Sequence, residues 1–165
     1  MVKMHSEKQI ELWFKGARDD SYSDLCSSSK VIIRDMGLMG YSSPFDGNVY
    51  INLNSLNRNK IPKKAVIGTL AHELAHQVSY RRRSFFSNLF LLWNYWLSEK
   101  KRSRVEMEAD EIAVQRGYGK ELLIEIESEY RCFSDDKKML EFIKRVYPTP
   151  DDIKRLIKKY PISNK

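Results

Sequence analysis

Three residues in one short run have the types and spacing to hold a metal ion and use it: His72, Glu73 and His76, in His72-Glu73-Leu74-Ala75-His76. Positions i and i+4 lie one turn apart on the same face of a helix. Two imidazoles placed there can aim nitrogens at one ion about 2.0–2.1 Å away, the bond length zinc prefers. Glu73 is rotated from the first histidine by about 100°. Its carboxylate can therefore sit beside the ion without being a ligand, as a general base for a water whose pKa the metal has lowered. The neighbours Thr69, Leu70, Ala71, Leu74 and Ala75 are small or apolar, so the histidines do not simply line a solvated face.

A catalytic zinc site needs a third protein ligand, with a fourth position left for water. The chain has three histidines, and His5 is remote and upstream. No histidine follows His76, so the third ligand is a carboxylate or is absent. The best segment is Glu106-Met107-Glu108-Ala109-Asp110. Glu106 and Asp110 are i and i+4 on one helical face, so one can bind the metal while the other holds a ligand in place. Glu108 is turned by about 200° from Glu106 and faces elsewhere; Glu111 is a weaker competitor.

These residues need elements to carry them. Pro62 suits the first turn of a helix, and Val66, Ile67, Leu70, Leu74 and Val78 form a stripe that carries this helix to about Tyr80. Before it, Asn48 to Asn54 alternates polar and apolar residues with period two, as a half-buried strand does, with Val49, Ile51 and Leu53 on one face. Residues 5–18 read as a helix with Ile10, Trp13 and Phe14 on one side, and 19–29 as a polar loop. Lys30 to Arg34 is a short β-type run, and Met36 to Gly47, rich in Gly, Ser and Pro, is a turn region. Helices are expected at about 103–116, 119–131, 135–146 and 151–160, broken by Gly117, Gly119, Pro148 and Pro150. This order argues for one α+β domain over residues 1–165, a small sheet packed to one side of a mostly helical C-terminal half.

Composition sets outer bounds. The 165 residues are 42% apolar and 31% charged, which excludes a disordered chain. Cys26 and Cys132 are far apart and neither is in a CxxC pair, so no cysteine zinc site is available. Two ordinary thiols and no apolar h-region in the first 30 residues make the cytoplasm the expected location. The net charge of +7 favours an anionic partner. Nucleic acid is not the expected one, since no recognised binding motif accompanies the charge; salt-dependent DNA binding would restore it.

Between the two halves of the candidate metal site lies an apolar run, 85–98 (FFSNLFLLWNYWLS), flanked by Arg81-Arg82-Arg83 and Lys100-Lys101-Arg102. It falls short of the roughly 20 apolar residues a spanning helix needs. The leading reading makes Phe85, Phe86, Leu89, Phe90, Leu92, Trp93 and Trp96 part of the core or a wall of the substrate cleft. The others are peripheral membrane contact through 81–102, by the pattern of an interfacial segment, and an oligomer contact.

The runs TLAHELAHQ (69–77), SRVEMEADEIAV (103–114) and GYGKELLIEIE (117–127) resemble the HtpX/CAAX-prenyl-protease family of gluzincin zinc metallopeptidases, over about residues 48–160. The resemblance implies a zincin-like domain. It makes Glu106 the third zinc ligand, Asp110 its support and Glu73 the general base of an endopeptidase that takes protein or peptide substrates. A zincin also pairs an extended substrate with an edge strand, here Val49, Tyr50, Ile51 and Asn52. The chain departs from the family in two places. Only 30 residues separate His76 from Glu106 (106 − 76), leaving no room for the membrane helices of integral members; in this the chain is similar to ImmA-type peptidases and minimal gluzincins. Near the C-terminal helix, Tyr147 stands where those relatives carry a histidine, and Asp152 where they carry an arginine. Tyr147 is then the candidate oxyanion donor, with Tyr118 and Arg155 as others. These departures motivate a second reading from a different class: a zinc-containing, peptidase-like binding or regulatory protein with little turnover.

Overall fold

The computed structural model describes residues 4–25 and 28–161; Cys26 lies outside them, and Cys132 is half-buried. In chain order the elements are α1 (Glu7–Ser21), β1 (Val31–Ile33), β2 (Gly40–Ser42), β3 (Val49–Ile51), α2 (Leu53–Arg58), α3 (Lys63–Arg81), α4 (Phe85–Leu97), α5 (Glu99–Gln115), α6 (Gly119–Cys132), α7 (Lys137–Val146) and α8 (Pro150–Lys159). The class is α+β, mostly helical, with one small three-stranded sheet among the described residues.

Helix α3 is the central element. It is buried on nearly every side, from Ala65 to Tyr80, and packs against α1, α5, α6 and the sheet. A helix enclosed on all sides must find partners for its polar groups. Gln77 Nε2 donates to Ser42 Oγ and the Ser43 carbonyl, Ser79 donates to Glu108, and the Tyr22 hydroxyl donates to the Ala71 carbonyl from α1's C-terminal end. Small residues let neighbours come close. A Cβ on Gly68 would lie 2.5 Å from the Glu121 carbonyl oxygen, so only glycine permits α6 to cross here.

The sheet differs from the sequence reading in two ways. First, residues 36–47 hold strand β2, hidden within a Gly- and Ser-rich stretch. Second, the strand order is β1-β3-β2, with β3 parallel to β1 and antiparallel to β2. The assignment of Val49, Tyr50, Ile51 and Asn52 as a substrate-pairing edge is therefore corrected. β3 is central and its backbone groups already face strands on both sides. Val49 and Ile51 are fully buried, as their alternation implies. Leu53 is not on that strand: the Asn52 side chain accepts from Ser55 N–H and caps α2, whose first residue is Leu53.

Several helix boundaries follow their caps. Ser6 and Gln9 form a capping box on α1, which runs to Ser21 rather than ending near residue 18. Thr149 and Asp152 form another on α8, with Pro150 in its first turn. Ser98 ends α4 and begins α5: its extended backbone (φ −143°, ψ 111°) stops one helix while its side chain caps the next by accepting from Lys101 N–H. The chain turns back there, so α4 lies against α5. The 85–98 run is thus a helix of its own, and most of its large residues face outward: Phe86 is 79% exposed and Trp93 68%. The expectation that they fill the core is corrected for all but the half-buried Leu92.

Candidate metal centre

Helices α3 and α5 bring His72, His76 and Glu106 together. His72 Nε2 lies 3.1 Å from His76 Nε2 and 3.1 Å from Glu106 Oε2, and His76 Nε2 lies 3.6 Å from that same oxygen. Ligand atoms around a tetrahedral ion with bonds near 2.1 Å stand roughly 3.4 Å apart. The three donors therefore have the spacing that one small cation requires, and this group could hold a metal ion.

Each donor is held from behind. Asp110, one turn beyond Glu106, places Oδ1 2.7 Å from His72 Nδ1. An ionised carboxylate can only accept, so in the neutral ring it keeps the proton on Nδ1 and leaves the Nε2 lone pair toward the site. The Tyr95 hydroxyl, from α4, donates to Glu106 Oε1 at 2.6 Å and so reserves Oε2 for the site. The His76 ring stacks on Tyr80 at 5.8 Å, and its buried Nδ1 has no hydrogen-bond partner.

Glu73 is buried beside this group but is not part of it. It faces strand β2: a Cβ on Gly40 would lie 2.8 Å from Glu73 Oε1 and 3.0 Å from Thr69 Cγ2. β2 has no strand on its outer side among the described residues. The unpaired edge next to the site is thus Gly40–Ser42, not Val49–Asn52.

The electrostatics follow from burying several carboxylates around two imidazoles. Burial opposes a charge on His72, but Asp110 and Glu106 outweigh it and hold its pKa well above the ordinary imidazole value. Burial works to raise the Glu106 pKa, yet hydrogen bonds and charge from His72 and His76 win and hold it far below the usual carboxylate range. Glu73 and Asp110 are both raised, chiefly by burial, with the histidines opposing.

Two further carboxylates had not been singled out from the sequence. Glu125 and Glu129 on α6 sit within electrostatic reach of His72 and Asp110. Burial raises Glu125 well above its ordinary value, with Glu129 adding to the effect, and burial pushes Glu129 up to about 7. A signal for them existed. At about 100° per residue, positions 125 and 129 fall in the same arc as the buried Leu122 and Ile126, so both acids point inward. Tyr95 was also missed.

The remaining candidates lie elsewhere. His5 Nε2 meets the Ile61 carbonyl, and its ring packs on Trp13. Glu108 pairs with Arg83 and Glu111 with Lys159, so neither competes as a ligand. Tyr147 is half-buried, interacts with Tyr95 and feels the Glu106 charge; it is one residue removed from the three candidate donors. Tyr118 stacks on Tyr22. Asp152 closes the α8 capping box by accepting from Thr149 N–H and pairs with the exposed Arg155, so its position is explained by the helix end. Protein-family models, curated proteins and solved structures offer no match to this chain.

Proposed function

We propose that the chain is a zinc-dependent endopeptidase of gluzincin type, with a zincin-like domain, in which His72, His76 and Glu106 hold the metal and Glu73 is the general base. The observation that carries this reading is the pairing of three donors at tetrahedral spacing with a buried, non-ligating carboxylate one residue along the same helix. A zinc ion held there would polarise a peptide carbonyl and acidify a water molecule.

The chain's own groups supply the rest. Glu73 accepts the proton at its carboxylate, a task suited by a pKa raised through burial. Asp110 fixes the tautomer and orientation of His72, and Tyr95 fixes Glu106. The outer edge of β2 offers backbone groups that can hold an extended peptide by strand addition. Gly40 keeps that strand close to Glu73.

The test combines metal analysis with digestion of casein and varied peptides by the wild type and Glu73→Gln. The variant is expected to keep its metal and lose roughly 10²–10⁴-fold in cleavage. Undiminished cleavage by the variant would sink the mechanism. One observation favours a second reading, a metal-containing binding or regulatory protein with little turnover: the cations near the C-terminal helix are engaged elsewhere, Arg155 with Asp152 and Arg102 on the rings of Tyr95, Trp96 and Phe142. Stoichiometric metal without cleavage of any peptide selects that reading.

A further inference from the structure

Helix α4 has two different faces. At about 100° per residue, Asn88 and Tyr95 share the inner side. Asn88 Nδ2 donates to the Tyr80 carbonyl at the end of α3, and Tyr95 reaches Glu106. On the opposite side Phe86, Leu89, Phe90, Trp93 and Leu97, with Phe85 and Trp96 at the margins, fall within an arc of about 140°. All seven are between 50% and 79% exposed. Phe45, in the loop between β2 and β3, is 54% exposed and extends the patch by packing on Phe85 at 5.8 Å. So large a contiguous apolar surface marks an interaction site.

The charges around it identify the occupant. Residues 81–104 contain seven Lys and Arg and one acidic residue, Glu99, a net +6 (7 − 1) out of +7 for the whole chain. Arg81 and Arg82 stand exposed at one end of the helix; Lys100, Lys101 and Arg104 stand exposed at the other. Lys101 lays its stem across the patch, with Nζ 5.7 Å from the centre of the Phe90 ring, as snorkelling lysines do. A second copy of the same face would set this charge against itself, which disfavours self-association. A helix of 13 residues is roughly 20 Å long, too short for a hydrocarbon core of about 30 Å, and no described helix is long and apolar enough to cross a membrane. The geometry suits a helix lying in the interfacial plane, with tryptophans at headgroup depth and cations toward anionic lipid.

We infer that the outer face of α4, with Phe45, docks the protein onto an anionic phospholipid surface. The free edge of β2 is carried to that surface with it, since the loop bearing Phe45 follows β2 directly. This inference does not depend on the peptidase reading, and its test uses no substrate.

The experiment is co-sedimentation with vesicles of phosphatidylcholine alone and of phosphatidylcholine with phosphatidylglycerol, at low and raised salt. Tryptophan emission is followed in a Trp13→Phe background so that only Trp93 and Trp96 report. The wild type is expected to bind the anionic vesicles with a blue shift, to bind neutral ones at least about tenfold more weakly, and to be released by salt. Phe86→Ser with Trp93→Ser should lower binding to anionic vesicles by about tenfold or more. Lys100→Gln with Lys101→Gln should lower it by roughly fivefold per residue removed. Both pairs should leave metal content and thermal melting unchanged, because these side chains are exposed. Glu73→Gln should bind as the wild type does, so loss of peptidase activity and loss of docking are separate results. The inference is overturned if the wild type ignores anionic vesicles at low salt, or if the Phe86/Trp93 variant binds them undiminished. It is equally overturned if sedimentation without lipid shows a dimer that this variant abolishes while vesicle binding is absent.

Discussion

The Tyr95 hydroxyl donates to Glu106 Oε1 across 2.6 Å, while the other oxygen of the same carboxylate faces two imidazoles. One side chain on α4 thus decides how a donor on α5 presents itself. Tyr95→Phe removes the hydroxyl and keeps the ring. The fold should persist and the metal affinity should fall about tenfold or more, as for other groups that orient a ligand; competition with a chromogenic chelator measures it. Unchanged affinity would mean that α5 alone positions Glu106.

The two glutamates in 106–108 allow the proposed ligand to be separated from a bystander. Glu106→Ala should abolish stoichiometric metal binding. Glu108→Ala should leave binding intact, since Glu108 is engaged by Arg83 and the buried Ser79 hydroxyl rather than by the candidate donors. That second change removes a partly exposed ion pair and the acceptor of a buried hydroxyl, and should lower stability by about 1–3 kcal/mol. The reverse order of metal loss would move the third ligand.

Gly40 offers a probe of the proposed base that leaves the proposed metal donors alone. A methyl group there would meet Glu73 Oε1 at 2.8 Å and Thr69 Cγ2 at 3.0 Å. Gly40→Ala should displace the carboxylate, keep the metal, and lower kcat on peptide substrates by about tenfold or more, a share of what a general base contributes. Undiminished peptide cleavage by Gly40→Ala would separate β2 from the proposed chemistry.

Glu129 sets a pH dependence in the metal-free protein. Burial raises its pKa from an ordinary carboxylate value to about 7 in the fold. The folded state therefore binds the proton more tightly than the unfolded state, so stability is highest below the unfolded pKa and falls as pH rises toward 7. His72, whose pKa is also raised, adds to the loss as pH climbs further. The low pKa of Glu106 acts only in acid, outside this window. The metal-free melting temperature should fall between pH 5 and 8, and Glu129→Gln should flatten part of that slope, by roughly 3 °C across the range. A slope identical in the variant would place the titration elsewhere.

The legibility of the molecule in its sequence was uneven for physical reasons. The donors on α3, and Glu106 with Asp110 on α5, were readable because helix periodicity fixes which side chains share a face, whatever the tertiary context. Sheet order was not. Strands of three residues carry almost no periodic signal, and β2 is a Gly-Tyr-Ser stretch that packs by closeness rather than by apolar alternation. Helix α4 misled because apolar composition implies burial, whereas here the apolar arc faces outward. Tyr95 was invisible for a related reason: its partner depends on the reversal at Ser98, a turn set by one capping hydroxyl. Glu125 and Glu129 could have been found, since an acid inside an apolar stripe is turned away from solvent.

Helix α4 carries Tyr95 on one side and the aromatic arc on the other, within 13 residues of continuous backbone. The proposed docking at one face and the placement of Glu106 at the other therefore share a single lever. A partner that shifts Tyr95 when it covers the outer face changes the affinity of the centre for its ion by some factor. Thermodynamic reciprocity then requires the ion to change the affinity of that face by the same factor. A loaded and an unloaded molecule would thus partition differently between bulk solution and whatever surface receives the helix, with the metal serving as the signal.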